Sequence, residues 1–285
     1  MTRRQRFYKM VALGLKQIRD PYYQGFAAQL AFYYMLSVVP TVILLSEAAT
    51  VLLRSNLEQA VGWIMKFTGG SFGDTIRSLI LGGSSATLNV LMLIVALWAS
   101  SRAQFSMARI CNFMYSEGKF TGSYWSERFR AIKTMSFTIL AMILVLVVMV
   151  FGSQGITLLF KFWGFETDAQ QAWGYIRWPV ALVLYILMLA YNYYVLPKEK
   201  ITFKEVLPGA AFAGMGLLVI TFFYAVYLTR IANYNIMYGS LSTIVALLFW
   251  FWFLAWVLVL GVLFNKVWKD TKDYKSWDMP KKYDE

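Results

Sequence analysis

Six long stretches without a charged residue constrain this chain more than any other feature. They are Pro21–Ser46, Ser78–Ser101, Thr134–Phe160, Trp178–Pro197, Val206–Thr229 and Ile231–Asn265. Each is long enough to cross a hydrocarbon core, which takes ~20 residues of helix. The last run exceeds one crossing, so part of it is loop. Only 15% of the residues are charged, against roughly 25% in an ordinary soluble domain. The expectation is an all-α, polytopic membrane protein with six transmembrane helices and short interfacial amphipathic helices. It divides into a cytoplasmic amphipathic segment (1–20), a six-helix transmembrane domain (21–268) and a cytoplasmic basic tail (269–285).

Charge placement sets the orientation. Of the 27 Lys and Arg residues, 20 fall at the termini and in alternate loops, six fall in the loops opposite, and Arg102 lies inside a hydrophobic run. The positive-inside rule then puts both termini in the cytoplasm. The net charge of +12 therefore reflects orientation and contact with anionic lipid headgroups. Membrane lipids are the expected partners. No basic-aromatic module points to nucleic acid, and the oligomeric state stays open. A cleaved signal peptide is not expected, because Lys16, Arg19 and Asp20 interrupt the first apolar stretch. With no histidine and a single cysteine, Cys111, no intramolecular disulfide, His-based metal site or His general base can form. No cofactor, metal or catalytic residue is expected.

Residues 4–19 place Phe7, Met10, Val11, Gly14, Leu15 and Ile18 at helical spacing among basic residues, which predicts a surface helix. Asp20–Pro21 is a helix-start signal, opening helix 1, which runs to about Arg54. Pro40 interrupts its hydrogen bonding and predicts a kink, with Ser37 placed to help satisfy freed backbone groups. The kink either opens a cavity or only fits the helix to its neighbours. Residues 55–86 read as two short helices at the outer interface. Helix 2 is expected from about Thr87 to Cys111, helix 3 from Ala131 to Phe160, and helix 4 from Trp178–Pro179 to Pro197. Helix 5 is expected to start near Pro208, and helix 6 to run from Leu241 to Trp268. Gly209/Ala213 and Ala210/Gly214 are small-xxx-small pairs that allow close helix approach. Trp250, Trp252 and Trp256 lie too deep for an interfacial belt, so some should pack inside.

Arg102 is the leading candidate for function. A charge at this depth costs at least ~2.5–3.5 kcal/mol, so it is normally paired, snorkelled or wet. Ser100, Ser101 and Gln104 surround it with polar groups. This favours a hydrated cavity open to the cytoplasm, with a phosphate or carboxylate as ligand; the alternative is a snorkelling anchor. Glu47 is the obvious counter-ion, but it lies roughly 13 Å from Arg102 in depth. It is either a protonatable group or an outer-rim residue. Asn192 and Tyr193 are further candidate substrate contacts, although each alone reads first as interhelical bonding, like Asn112 and Asn265. Tyr238 and Ser240, with Gly239 between them, open helix 6. Ser240 suits an N-cap, and the segment, like Pro40, is a candidate gate.

Four phrases carry a family resemblance. They are AAQLAFYYMLSVVP (Ala27–Pro40), WASSRAQFSMARICNFMY (Trp98–Tyr115), YNYYVLPKEKITFKEVLPGAAFAG (Tyr191–Gly214) and YGSLSTIVALLFWFWFLAWVLVLG (Tyr238–Gly261). Together, and in this order, they resemble the YihY/BrkB family of bacterial inner-membrane proteins. One departure concerns the Gly-Ala-Glu frequent near the end of helix 6. Here it reads Gly261, Val262, Leu263, so a mechanism using that acid does not carry over. The resemblance implies a six-helix protein of the bacterial inner membrane. It brings a virulence-factor name and an older ribonuclease label, formerly ribonuclease BN.

The leading expectation is transport or flipping of an amphipathic, anionic, lipid-like envelope substrate. The alternative is a non-transporting scaffold or regulator of envelope assembly, in which interhelical bonds consume the polar residues. Ribonuclease activity is disfavoured, because the cytoplasmic acids are scattered among cations and not clustered. The orientation has a direct check. In a Cys111→Ser background, a cysteine at Ser71 should react with an impermeant reagent in intact cells, and one at Ser276 should not. The reverse pattern would invert the topology.

Overall fold

The computed structural model describes residues 3–19, 21–53, 90–116, 123–163, 169–230 and 241–272. These contain eight helices: α1 (Arg3–Ile18), α2 (Pro21–Leu53), α3 (Val90–Ser100), α4 (Arg102–Tyr115), α5 (Tyr124–Trp163), α6 (Ala169–Val195), α7 (Phe203–Arg230) and α8 (Ser242–Lys272). No strand occurs among the described residues. Five helices, α2 and α5–α8, are long and apolar enough to cross a membrane. The second of the six expected spans is not one helix. It is divided at Ser101 into α3 and α4, each short of a full crossing.

The long helices form a ring in which α2, α3, α5, α6, α7 and α8 each pack against the next, and α8 closes on α2. Short α4 lies against α2, α5 and α8. Its sequence is the least apolar of the inner helices, yet most of its residues are buried, Gln104, Ser106 and Asn112 included. The core it joins is rich in small residues: Ala27, Ala31, Ala108, Ala190, Ala210, Ala213 and Ala255. Small side chains let helices approach closely where lipid supplies no hydrophobic drive.

The closest approach is between α7 and α8. A Cβ on Gly209 would strike the Gly261 carbonyl and the Asn265 side chain. A Cβ on Gly261 would meet the Tyr193 hydroxyl at 2.6 Å and the Ala213 Cβ at 2.9 Å. The Gly209 N–H donates to Asn265 Oδ1 at 2.7 Å. Gly214 sits as tightly against Ile186 of α6. The small-residue pattern of α7 therefore serves packing within the chain.

Several boundaries differ from expectation for identifiable reasons. α5 begins at Tyr124, seven residues before Ala131. Its charged first turns fold as helix because Glu127 and Arg128 find cover. α6 begins at Ala169 and carries Pro179 inside it. α7 begins at Phe203, with Pro208 inside. The start of α7 is fixed by a reciprocal cap: the Thr202 N–H donates to Glu205 Oε2 (3.0 Å), and the Glu205 N–H to the Thr202 carbonyl (3.0 Å). In α2 the helix continues across Pro40. There the Thr41 hydroxyl donates to the Ser37 carbonyl and the Ser37 hydroxyl to that of Tyr34. Trp250 and Trp256 pack against the core, whereas Trp252 is exposed. The segment 55–86, Tyr238, Ser240 and the side chain of Glu47 lie outside the described residues.

α1 uses two faces. Met10, Leu13 and Ile18 pack on the core, whereas Phe7, Tyr8, Val11 and Leu15 are exposed. Arg6 pins α1 to the end of α8 by donating to the Trp268 carbonyl (3.2 Å) while its guanidinium lies 4.3 Å from the centre of the Trp268 ring.

The α7–α8 contact yields a stability prediction. Gly209→Ala should lower the thermal midpoint in detergent, because overpacking against backbone costs roughly 1–3 kcal/mol. Gly155→Ala, where nothing lies within 4 Å, should leave the midpoint unchanged or raise it slightly. Equal effects of the two would show that the α7–α8 approach is not this close.

Candidate anion site

The break between α3 and α4 brings a buried arginine of α5 next to the first residue of α4. Across it, the helix ladder is carried by Ser101 N–H to the Leu97 carbonyl (3.1 Å) and Phe105 N–H to the Ser101 carbonyl (2.9 Å). The Trp98 carbonyl accepts from the Ser101 hydroxyl (2.9 Å) and from Nη2 of Arg128, which reaches over from α5. α4 then starts with Arg102, so its first backbone N–H groups lie at the break.

Arg128 is 1% exposed. Its guanidinium lies 3.9 Å from the Trp98 ring centre and 5.5 Å from that of Phe105. Nε and Nη1 have no hydrogen-bond partner. Cation–π contact is worth ~0.5–2 kcal/mol, whereas an ion buried without a counter-charge costs several kcal/mol. The rings therefore do not balance the burial. The Trp98 carbonyl that Arg128 holds lies one helical turn before Arg102, which brings a second like charge to the same end of α4.

Arg102 itself is exposed. The interior place expected of it is taken by Arg128, which holds the Trp98 carbonyl one helical turn before Arg102. Ser100 and Ser101 are buried, but their hydroxyls turn back onto the Leu97 and Trp98 carbonyls of their own helix. Gln104 and Asn192 do meet, through Thr138: its hydroxyl accepts from Gln104 Nε2 (3.4 Å) and Asn192 Nδ2 (3.2 Å) and donates to the Thr134 carbonyl (2.8 Å). Tyr193 points elsewhere and donates to the Leu258 carbonyl at 2.9 Å. These groups bind helix to helix. Sequence reasoning passed over Arg128 because it was counted with the loop cations. The available signal was its setting, YWSERF, since an Arg among aromatic residues suits a half-buried helix start.

Beside Arg128 is a second polar knot. Glu127, 1% exposed, accepts through Oε1 from Asn112 Nδ2 at 2.7 Å, and its Oε2 has no partner. Asn112 Oδ1 accepts the Lys198 N–H at 2.7 Å. One asparagine thus ties α4 to α5 and to the α6–α7 connection. A half-open cleft lies next to it, lined by Asn112, Tyr115, Ser116, Lys198 and Glu199.

The chain matches the family described as Virulence factor BrkB over residues 15–284. It belongs to the BrkB family. It is similar to the putative ribonuclease-like protein YfkH of Bacillus subtilis (strain 168), with 26% identity over 241 residues, 84% of this chain and 87% of that protein. Shorter likenesses run to UPF0761 membrane proteins. One from Glaesserella parasuis is 31% identical over 101 residues, 35% of this chain and 36% of the relative. One from Pseudoalteromonas translucida is 34% identical over 68 residues, 24% and 22% respectively. No solved structure matches. Membership in the BrkB family and the five long apolar helices make this chain a multi-pass membrane protein.

The Asn112 knot can be tested as a unit. Asn112→Ala strips Glu127 of its hydrogen bond and should cost about 1–3 kcal/mol or somewhat more, the scale for leaving a buried polar or charged group unsatisfied. Glu127→Ala in the same background should add little. Thermal midpoints of the two single variants and the double variant decide the point; additive losses would show the residues to be independent.

Proposed function

We propose that this protein binds an amphipathic, anionic, lipid-like substrate in the bacterial inner membrane and carries its headgroup across. The observation that carries this reading is Arg128. It is a permanent cation, 1% exposed, with Nε and Nη1 unpartnered, and Arg102 follows one helical turn after the Trp98 carbonyl that it holds. An anion there would supply charge-assisted hydrogen bonds to both guanidiniums, the role for which their planar donor sets are suited. Discontinuous membrane helices present their N-terminal ends to anionic groups in the same way. In this reading α3 and α4 together make the sixth crossing, both termini are cytoplasmic, and α1 lies on the inner leaflet with Phe7, Val11 and Leu15 toward lipid. The start of α5 then stands at the level of the inner headgroups.

The second reading is a non-transporting scaffold. It is favoured by the Gln104–Thr138–Asn192 bonds and by the Tyr193 bond to Leu258, which consume polar groups inside the bundle. Hydrolysis of nucleic acid finds less support. Among the described residues no three His, Cys, Asp or Glu side chains gather to hold a metal ion, a usual arrangement for phosphodiester cleavage.

Arg128→Met separates the two leading readings. It removes a desolvation cost, and the Trp98 carbonyl keeps the Ser101 hydroxyl. The variant should therefore be at least as heat-stable in detergent as the parent. It should retain less anionic lipid in native mass spectrometry and fail to move a labelled anionic lipid between vesicle leaflets. Lost stability with unchanged retention would leave the scaffold reading standing.

A further inference from the structure

We infer that the headgroup taken by Arg128 and Arg102 is a lipid phosphomonoester that enters sideways from the bilayer. This deepens the reading above and rests on it. Charge selects the headgroup. A phosphomonoester carries about −1.5 to −2 at neutral pH, which matches two guanidiniums. A phosphodiester or carboxylate carries a single charge and leaves one guanidinium unbalanced. Arg128 is buried with unmade hydrogen bonds, and a like charge, Arg102, starts α4 one helical turn after the Trp98 carbonyl that Arg128 holds. A dianion relieves both costs together, whereas a monoanion relieves only part of either.

The route follows from what covers the guanidinium. Trp98 and Phe105 lie over it. Around them, Trp98 touches Trp125 (6.5 Å between ring centres), Trp125 touches Tyr124 (5.5 Å) and Phe129 (6.5 Å), and Tyr124 touches Phe105 (5.2 Å). Trp98, Tyr124, Trp125 and Phe129 are 37%, 46%, 60% and 68% exposed. They form an aromatic surface on α3 and the membrane-spanning α5, and such a surface faces lipid at the headgroup level. The outer part of this cover is exposed rings, a class of side chain that changes rotamer on short timescales. The polar cleft nearby is lined by Asn112, Tyr115, Ser116, Lys198 and Glu199, none of which is a member of the guanidinium site. The aromatic surface gives acyl chains a place to remain in the bilayer while the phosphate reaches Arg128. Arg102, exposed at the first residue of α4, supplies the second guanidinium.

The test uses the full chain in nanodiscs of phosphatidylcholine. The discs carry equal mole fractions of phosphatidate, a phosphomonoester, or phosphatidylglycerol, a phosphodiester, and retained lipid is counted by native mass spectrometry. The inference expects about tenfold stronger retention of phosphatidate, the gain from one more charge-assisted contact. Arg102→Met should bring phosphatidate down to the level of phosphatidylglycerol and leave the latter little changed. Inorganic phosphate at millimolar concentration should not displace the lipid. Equal retention of the two lipids by the parent chain would overturn the headgroup assignment. Displacement by inorganic phosphate would overturn the lateral route. Retention of neither lipid would instead remove the proposed function itself, so the failures are distinguishable.

Discussion

Contact distance holds this bundle together. Apolar side chains gain nothing by leaving lipid for one another, so helices associate through van der Waals contact and interhelical hydrogen bonds. The point where α7 meets α8 supplies both. Gly209 and Gly261 bring the two backbones together, and the Gly209 N–H is bonded by Asn265. The Tyr193 hydroxyl then fits against Gly261 and reaches the Leu258 carbonyl, which adds α6 to the same contact. Any larger side chain at either glycine would push α8 outward. Because α8 also packs on α2 and carries α1 at its far end, that displacement would open the ring on two sides.

Several polar groups inside the ring are spent on such joints, whereas Glu127 and Arg128 at the start of α5 are buried and keep atoms without a partner. This division has a physical basis. Amide and hydroxyl side chains can satisfy one another at modest cost, as Gln104, Thr138 and Asn192 do. A guanidinium cannot be neutralised by rings and one carbonyl. It is tolerated where a mobile counter-charge can reach it, and a membrane surface is where anionic headgroups are found.

The large elements were legible because they depend on one-dimensional properties. Uncharged runs and hydrophobicity located α2 and α5–α8, and the spacing of Gly209, Ala213 and Gly214 announced the close face of α7. Ends and breaks were harder. Thr202 and Glu205 spell a capping box, but Pro208 offered a competing start signal, and the cap won because it satisfies two backbone groups at once. Ser101 carries no helix-breaking signature, so the division between α3 and α4 was hidden. The site shifted by one residue choice for the same reason. Sequence marked Arg102 as the buried cation because it interrupts an apolar run. Which arginine is covered depends on how Trp98, Phe105 and α5 come together in space, and no local pattern encodes that.

Glu127 and Arg128 show what this arrangement leaves unresolved within the protein. They are adjacent in sequence, opposite in charge and both 1% exposed. They do not neutralise each other, because consecutive helix positions point about 100° apart. One turns to Asn112, the other to the Trp98 carbonyl, and each keeps atoms without a partner. Of the two, the acid is tied into the frame: through Asn112 it is joined to the Lys198 N–H and so to the α6–α7 connection. The arginine is tied only to the carbonyl at the α3–α4 break. A ligand that draws on Arg128 therefore acts where α3, α4 and α5 meet, while Glu127 and Asn112 keep the base of α5 fixed. In the proposed function that asymmetry places recognition on the arginine side of the helix, while the glutamate side is held by Asn112.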